Sequence, residues 1–288
     1  MGNKLTVIKN IIWALAIVVC LVVMLIALVF GAATKYYGQD GYPVLYLGGE
    51  TPAKDKPEAS QQGEDGQDGE DVPQGVQQAD GSLTVLAKTK DAGQEYIDSL
   101  TFLCDSALVG LRDYGLLSGG IGTTQVWGSS AGNIPVADIA ECTIKYPNDG
   151  SQISAANAAM IAKPEILIIS LGADSLAGTT REDFIYNYTL LVLGIRASSP
   201  QTTIVCCSLG SVISGYSGVD NLSSAEIGDA NEWIKQVCID TGAYFLDVAE
   251  VLNEGGYLLN KYASQNGKTL NTRGLETVLE YIRTHAVS

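Results

Sequence analysis

The sequence is poor in the residues that most often build metal and cofactor sites. Only one of its 288 residues is a histidine, His285, and no two of its six cysteines form a C-x-x-C pair. Zinc and related metals take most of their ligands from these two residue types. No G-x-G-x-x-G opens the first helix and no P-loop motif occurs, so dinucleotide and P-loop phosphate sites are not supported. We therefore predict no metal and no other cofactor.

Basic residues are also scarce. The chain has 17 lysines and arginines against 32 acidic residues, a formal net charge of −15, and it has no basic run after residue 35. Proteins that bind nucleic acids need clustered cations to neutralise phosphates. The charge balance therefore argues against a nucleic-acid partner.

The cysteines lie in apolar surroundings. Cys20 belongs to an N-terminal apolar run, and Cys206 and Cys207 lie in a pattern typical of a strand. Buried free cysteines behave as small hydrophobic residues, so we predict free, packed thiols. A disulfide stays open as an alternative if the globular part is exported. The remaining cysteines are Cys104, Cys142 and Cys238.

Residues 11–30 form a run of 20 residues without a charge. As a helix this run would span about 30 Å, the thickness of the hydrocarbon core of a bilayer. Lys4 and Lys9 precede it, which favours a cytoplasmic N-terminus. We predict a single-pass anchor in the cell membrane, with residues 1–35 as cytoplasmic stub and anchor. Cleavage after Gly31-Ala32-Ala33, as in a signal peptide, is the alternative.

An acidic, polar stretch follows the predicted anchor. Between Glu50 and Ser82 there are nine acidic residues and two lysines. Such a composition buries too little apolar surface to offset the entropy lost on ordering. We therefore predict a disordered tether over residues 36–90 and a globular, extracytoplasmic domain over residues 91–288.

Strand and helix patterns alternate in the globular part. Apolar runs of strand length occur at 100–103, 124–127, 165–171, 203–207 and 244–246, with helical patterns between them and at the C-terminus. Two capping boxes, Thr179-x-x-Glu182 and Ser223-x-x-Glu226, mark helix starts. We predict a helix over 153–161 before Pro164. The alternation indicates a doubly wound α/β fold, with a parallel sheet between two layers of helices.

Ser106 follows the first of these strands, in Cys104-Asp105-Ser106. Open α/β sheets bind ligands beyond the carboxyl ends of their strands. A helical pattern follows Ser106 directly, so we expect its hydroxyl near the positive end of a helix, where an anion or oxyanion is stabilised. Ser106 is therefore the first candidate site residue.

Three blocks in order resemble those of the SGNH/GDSL hydrolases, a family of serine esterases. They are Cys104-Asp105-Ser106, Leu171-Gly172-Ala173-Asp174 and Asn266-Gly267-Lys268-Thr269, and the similarity covers about residues 96–285. The resemblance implies a flavodoxin-like three-layer α/β/α sandwich. It also implies that Ser106 is at the nucleophile position, that Gly128 and Asp174 are at the oxyanion-hole positions, and that Asn266 and Thr269 are at the positions of the catalytic aspartate and histidine.

The chain departs from the family pattern at three of these positions. Thr269 cannot accept a proton from Ser106 near neutral pH, and His285 lies 16 residues further on in the last helical pattern, on the order of 20 Å away along a helix. Asn266 lacks the charge that would stabilise an imidazolium. Asp174, when ionised, accepts hydrogen bonds only and would repel an oxyanion.

Three substitutes for the missing chemistry are conceivable. Lys268 is adjacent to the lost histidine position and could act as a base only if desolvated or crowded by cations. Cys104 lacks a histidine partner and is expected to be a packed residue. Asp105 and Asp174 could together hold Mg²⁺ or Ca²⁺, but two carboxylates without further ligands are more typical of hydrogen-bonded turns.

Two functions remain from the sequence. The favoured hypothesis is a membrane-tethered, catalytically impaired SGNH-like domain that binds a cell-wall glycan, an acyl ester or a protein in the former active-site cleft. The alternative is an active esterase that acts on acyl or glycan esters through Ser106 and a non-standard base. Both hypotheses predict contact with the membrane through the N-terminal helix.

Overall fold

The computed structural model describes residues 35–37, 43–45 and 84–287. Within these ranges, no helix combines the length and the apolar character needed to cross a bilayer. The predicted anchor at residues 11–30 and most of the predicted tether lie outside them. Strands β1 (Lys35–Tyr37) and β2 (Pro43–Leu45) form an antiparallel pair by themselves.

The remaining chain is organised around one parallel sheet of six strands. The strands are β3 (Thr84–Val85), β4 (Leu100–Cys104), β5 (Val126–Trp127), β8 (Ile166–Ser170), β9 (Thr203–Cys207) and β10 (Tyr244–Leu246). Two small antiparallel pairs stand outside this sheet, β6 (Thr143–Lys145) with β7 (Gln152–Ser154), and β11 (Asn253–Glu254) with β12 (Tyr257–Leu258).

The order of strands in the six-stranded sheet is β3-β10-β9-β8-β4-β5. If the edge strand β3 is left out and the sheet is read from the β5 end, the order is β5-β4-β8-β9-β10. In chain order this is 2-1-3-4-5, the order found in flavodoxin-like folds. In such an order the chain reverses direction between β4 and β8, and ligands bind at the carboxyl ends of the strands there. The prediction of an α/β fold with a parallel central sheet is confirmed.

Helices cover both faces of the sheet. Their bounds are α1 (Gly93–Ser99), α2 (Gly110–Asp113), α3 (Ala155–Ala162), α4 (Arg181–Ser198), α5 (Ser224–Thr241), α6 (Ala249–Leu252) and α7 (Thr272–Arg283), with 3-10 turns at Gly120–Gly122 and Val136–Asp138.

Side chains of each central strand point alternately to the two faces, and two cores result. One core packs α3, α4 and α5 against residues such as Leu167 and Ile169. The other packs α1, α2, α6 and α7 against residues such as Ile166 and Ile168. This burial on both faces explains why the central strands are continuous apolar runs in the sequence.

The helix ends follow local sequence rules, with one correction. The predicted capping box Ser223–Glu226 begins α5, and Gly242 ends it in a left-handed conformation. The other predicted box is wrong by one residue. Thr180, not Thr179, caps α4, and its hydroxyl accepts from the backbone N–H of Asp183.

Two further differences concern short strands. β7 takes up residues 152–154, so the helix predicted over 153–161 begins only at Ala155. β3 pairs with β10, and Leu86 beyond it is buried, so the sheet extends into the stretch predicted as tether.

The cysteines of the described part are all free and buried, as predicted. They are Cys104, Cys142, Cys206, Cys207 and Cys238. Cys20 lies outside the described residues.

Candidate active site

Ser106 and Asp174 follow two neighbouring strands of the sheet. β4 ends at Cys104, and Ser106 follows it after a single residue. β8 ends at Ser170, and Asp174 lies four residues further on. The two strands pair in parallel with Cys104 opposite Ser170, so their carboxyl ends lie side by side. The register therefore brings together a serine and an aspartate that are 68 residues apart in sequence.

The Asp174 carboxylate binds both polar groups of Ser106. Ser106 Oγ donates to Asp174 Oδ1 at 2.6 Å, and the Ser106 backbone N–H donates to Oδ2 at 3.2 Å. The backbone N–H of Ile134 donates to the same Oδ2 at 3.4 Å. Asp174 is only 7% exposed, so these donors replace water around its charge.

Asp105, which lies between β4 and Ser106, fixes the loop that carries Asp174. Its Oδ2 accepts from the backbone N–H groups of Gly172, Ala173 and Asp174 at 2.9, 3.0 and 3.4 Å. Its Oδ1 accepts from the N–H of Ala107 at 3.0 Å. One carboxylate thus joins the two loops that contribute Ser106 and Asp174.

Asp105 is buried, and its ionisation is perturbed. Burial is the main cause that raises the pKa of Asp105 to about 7, and the negative charge of Asp174 acts in the same direction. The backbone donors from Ala107, Gly172 and Asp174 oppose this increase. The raised pKa of Asp105 therefore makes the site sensitive to pH.

Gly172 has a conformation and a packing that exclude a side chain. Its φ is +115°, and a Cβ atom there would lie 2.8 Å from Cε2 of Phe184. A residue with a side chain would clash with Phe184 and strain the backbone at the position whose N–H donates to Asp105.

Lys268 connects the last block to the other two. Its Nζ donates to Asp220 Oδ2 at 2.9 Å and lies 3.8 Å from Asp174 Oδ1. The ammonium thus faces two carboxylates, whereas a base would have to be a neutral amine. This geometry does not favour the Ser106–Lys268 pair that the sequence left open.

Asp220 is a site residue that the sequence analysis missed. It lies on the loop between β9 and α5, and Tyr216 OH donates to its Oδ1 at 2.8 Å. Burial by itself would raise the pKa of Asp220, but the hydrogen bonds from Lys268 and Tyr216 hold it below its usual value. Its place after the carboxyl end of a strand was the only available signal, since no motif surrounds it.

Asn266 and Thr269 have their side chains engaged within the turn of the last block. Asn266 Oδ1 accepts from Ser264 Oγ and from the backbone N–H groups of Lys268 and Thr269. The hydroxyls of Thr269 and Ser264 are 2.6 Å apart. Within the described part of the chain, no hydrogen bond joins Asn266 or Thr269 to Ser106.

Gly128 follows β5 directly and lies next to β4. A Cβ atom at Gly128 would be 3.3 Å from the carbonyl oxygen of Cys104, and its own carbonyl accepts from the N–H of Lys145. Gly128 therefore lies beside the end of β4. Its role as an oxyanion donor, which the family resemblance implies, stays a prediction.

Two expectations about polar groups near Ser106 have different outcomes. His285 lies just beyond α7, where its Nδ1 is 2.9 Å from the carbonyl of Tyr281 and its ring stacks on the Tyr281 ring. It is thus a packed residue near a helix end, as expected.

The helix that we expected directly after Ser106 begins only at Gly110 and has four residues. The prediction that the N-terminal end of a helix lies beside the Ser106 hydroxyl is therefore wrong.

The two carboxylates near Ser106 are engaged in hydrogen bonds. Asp105 accepts from four N–H groups and Asp174 from three donors. Across the described ranges, no group of three or more histidine, cysteine or acidic residues could hold a metal ion. The arrangement is that of hydrogen-bonded turns.

Comparison with known families gives one match. Residues 145–276 match the model of the GDSL-like Lipase/Acylhydrolase family. The matched segment contains Asp174, Asp220 and Lys268 but not Ser106. Among the curated proteins, none matches the chain.

Several solved structures are similar at low sequence identity. A protein from Desulfitobacterium hafniense DCB-2, described as a lipolytic protein of the G-D-S-L family, is 18% identical with a TM-score of 0.46, covering 65% of this chain and 98% of its own. A carbohydrate esterase family 3 protein from Talaromyces cellulolyticus is 16% identical with a TM-score of 0.43, covering 64% and 93%. A GDSL-like lipase from Bacteroides thetaiotaomicron VPI-5482 is 11% identical with a TM-score of 0.42, covering 67% and 89%.

Proposed function

We propose that this protein is a membrane-tethered, extracytoplasmic GDSL-like domain that is catalytically impaired and acts as a binding module. The observation that carries the proposal is the placement of the Asp174 carboxylate. It accepts hydrogen bonds from both Ser106 Oγ and the Ser106 backbone N–H. The Ser106 N–H is a donor that an oxyanion formed at Ser106 would need, and Asp174 already occupies it.

The electrostatics of the site support this proposal. In acyl transfer the developing oxyanion is stabilised by hydrogen-bond donors, and loss of a single donor typically lowers the rate about 10²–10³-fold. Here the N–H groups of Ser106 and Ile134 already donate to a carboxylate. A second negative charge beside Asp174 would be repelled, so the expected loss of rate is larger than for a missing donor.

The last block supports the same conclusion from the side of the base. A serine hydroxyl needs a neighbouring base to become nucleophilic, and the described residues offer no imidazole near Ser106. Thr269 and Asn266 hydrogen-bond with Ser264 instead. Lys268 is paired with Asp220.

The tethering part of the proposal rests on the amino-acid sequence. The run from Ile11 to Phe30 has the length and the apolar composition of a bilayer-spanning helix. The acidic stretch that follows would hold the globular domain away from the membrane surface. The two lysines before the run favour an N-terminus in the cytoplasm and a domain outside it.

An active esterase is the second candidate, and one distance favours it. The 2.6 Å contact lets Asp174 Oδ1 accept the proton of Ser106 Oγ. In that mechanism Asp174 would act as the general base, and the Ser106 hydroxyl would attack the acyl carbon. A carboxylate is a weak base near neutral pH, and its second oxygen would still compete for the Ser106 N–H.

Ester hydrolysis by the full-length protein separates the two candidates. We would measure initial rates with p-nitrophenyl acetate and butyrate for the wild-type protein and for Ser106→Ala. The proposal predicts the same background rate for both proteins. Turnover by the wild type that is lost in Ser106→Ala would contradict the impaired state and support the Ser106–Asp174 mechanism.

A further inference from the structure

A cavity of about 580 Å³ opens beside the candidate active site. It lies between the loop that joins β9 to α5, the first turn of α5, and β12. Its wall includes Tyr216, Ser217, Asn221, Ser224 and Tyr257. Ligand pockets in proteins commonly enclose roughly 300–1,000 Å³, so this cavity has the size of a small-molecule site.

Tyr216 connects the cavity to the candidate active site. Its hydroxyl donates to Asp220, which in turn accepts from Lys268. Its ring lies against Gly267, where a Cβ atom would be 3.4 Å from Tyr216 Cδ2 and 2.7 Å from Ile213 Cδ1. The cavity wall is therefore continuous with the loop of the last block.

The lining of the cavity carries no charge. None of the described residues that line it is acidic or basic. The neighbouring Glu226 is bound by the backbone N–H and hydroxyl of Ser223, and Lys268 is paired with Asp220. An anionic ligand would find no free cation there and would face a chain with a net charge of −15. The cavity therefore suits an uncharged ligand.

Polar side chains in the lining are available to a ligand. The side chains of Ser217, Asn221, Ser224 and Tyr257 make no hydrogen bond within the described part of the chain. Apolar residues such as Val212 and Leu222 lie among them, and Tyr257 is 44% exposed. An acyl chain would leave the hydroxyl and amide groups unpaired, which is unfavourable once water is displaced.

We propose that this cavity binds an uncharged saccharide unit. A sugar ring has hydroxyl groups on its edge and apolar C–H groups on its faces, and so it matches a lining of both kinds. Tyr257 packs against a face of the ring, and Ser217, Asn221 and Ser224 bond to its hydroxyls. This inference rests on the proposed function, because it names the ligand class of the binding module.

The test is a binding titration of the full-length protein. The probes are N-acetylchitotetraose and cellotetraose as neutral saccharides, tetragalacturonate as a charged saccharide, and octanoate as an acyl chain. The variants are Tyr257→Ala and Ser224→Ala in the cavity. Tyr257→Phe keeps the ring, and Tyr186→Ala removes a tyrosine that is 62% exposed on α4 and serves as the matched control.

We expect at least one neutral tetrasaccharide to bind, and Tyr257→Ala to weaken that binding by at least about tenfold. Ser224→Ala should weaken it by a smaller factor, and Tyr257→Phe and Tyr186→Ala should stay within about threefold of the wild type. The proposal is overturned if neither neutral saccharide binds, if tetragalacturonate or octanoate binds more tightly, or if the affinity is the same in Tyr257→Ala and Ser224→Ala as in the wild type.

The result is independent of the esterase assay. Saccharide binding that changes in neither Tyr257→Ala nor Ser224→Ala would contradict the cavity but leave a binding module intact. Ester turnover that depends on Ser106 would contradict the impaired state but leave the cavity open to a sugar.

Discussion

Ser106 Oγ donates to Asp174 Oδ1 at 2.6 Å, and the Ser106 backbone N–H donates to the other oxygen of the same carboxylate at 3.2 Å. A serine hydroxyl becomes a good nucleophile only when a neighbouring base activates it. Here an internal carboxylate takes both of its donors. The Ser106 N–H and hydroxyl therefore both donate to Asp174, and the proposed loss of activity depends on this pairing.

The ion pair of Lys268 should contribute to stability. Lys268→Met keeps most of the apolar stem and removes the charge, which leaves Asp174 and Asp220 without their cation. We expect the free energy of unfolding to decrease by about 1–3 kcal/mol, measured by urea denaturation of the full-length protein. The control Lys88→Met changes an exposed lysine and should stay within about 0.5 kcal/mol of the wild type. An unchanged stability of Lys268→Met would mean that the ion pair is not formed in solution.

Asp105 should make stability depend on pH. Its pKa is raised from 3.8 to about 7 in the folded protein. At a pH between these two values, the carboxyl is protonated in the folded state and ionised in the unfolded state. Stability contributed at this site therefore falls as the pH rises from about 4 to about 7. The difference in the free energy of unfolding between the wild type and Asp105→Asn should decrease over that range and then level off.

Urea denaturation at a series of pH values between 4.5 and 8 measures this difference. Asp149→Asn is the control, because hydrogen bonds from Ser151 lower the pKa of Asp149. Asp149 stays ionised over this pH range, so the effect of its substitution on the free energy of unfolding should not change with pH. A difference for Asp105→Asn that increases with pH, or does not change, would show that Asp105 is ionised throughout.

The central fold elements could be predicted from sequence because burial dictates them. Residues 166–170 and 203–207 are apolar on both faces, and they form β8 and β9. Ser223 and Gly242 carry local signals that fix the ends of α5. β3 has only two residues and exists through its pairing with β10, so no local pattern marks it.

The site was only partly predictable, for a related reason. Ser106 and Asp174 follow strands and were found from the blocks that contain them. Their direct contact depends on the register of β4 against β8, which the sequence does not specify. Asp220 pairs with Lys268 across 48 residues, and no motif links the two. Contacts between loops of different strands are therefore the part that sequence reasoning missed.

Restoring the family residues should restore some activity if the blocks are aligned correctly. The triple variant Asp174→Asn, Asn266→Asp, Thr269→His supplies an amide donor, an imidazole and a carboxylate to orient it. We expect hydrolysis of p-nitrophenyl acetate above the wild-type rate, and its loss when Ser106→Ala is added. A folded triple variant with no gain would indicate that residues 266 and 269 are not the positions of the missing pair.

The N-terminal run should attach the protein to a membrane. The full-length protein, produced in bacterial cells, should remain in the membrane fraction after an alkaline wash, and protease added to spheroplasts should remove the globular domain. Leu21→Arg places a charge at the centre of the run, which costs about 2.5–3.5 kcal/mol of insertion, and should shift the protein to the soluble fraction. Leu21→Ala is the control. A wild-type chain that is released and begins after residue 33 would instead indicate cleavage.

The reactivity of Ser106 towards a fluorophosphonate probe tests the central claim most directly, because it needs no knowledge of a substrate. The probe labels a serine that is activated by a base and supported by free oxyanion donors. With the Asp174 carboxylate bound to both groups of Ser106, the full-length wild type should be labelled no more than Ser106→Ala. Labelling of the wild type that mass spectrometry assigns to Ser106 would contradict the account.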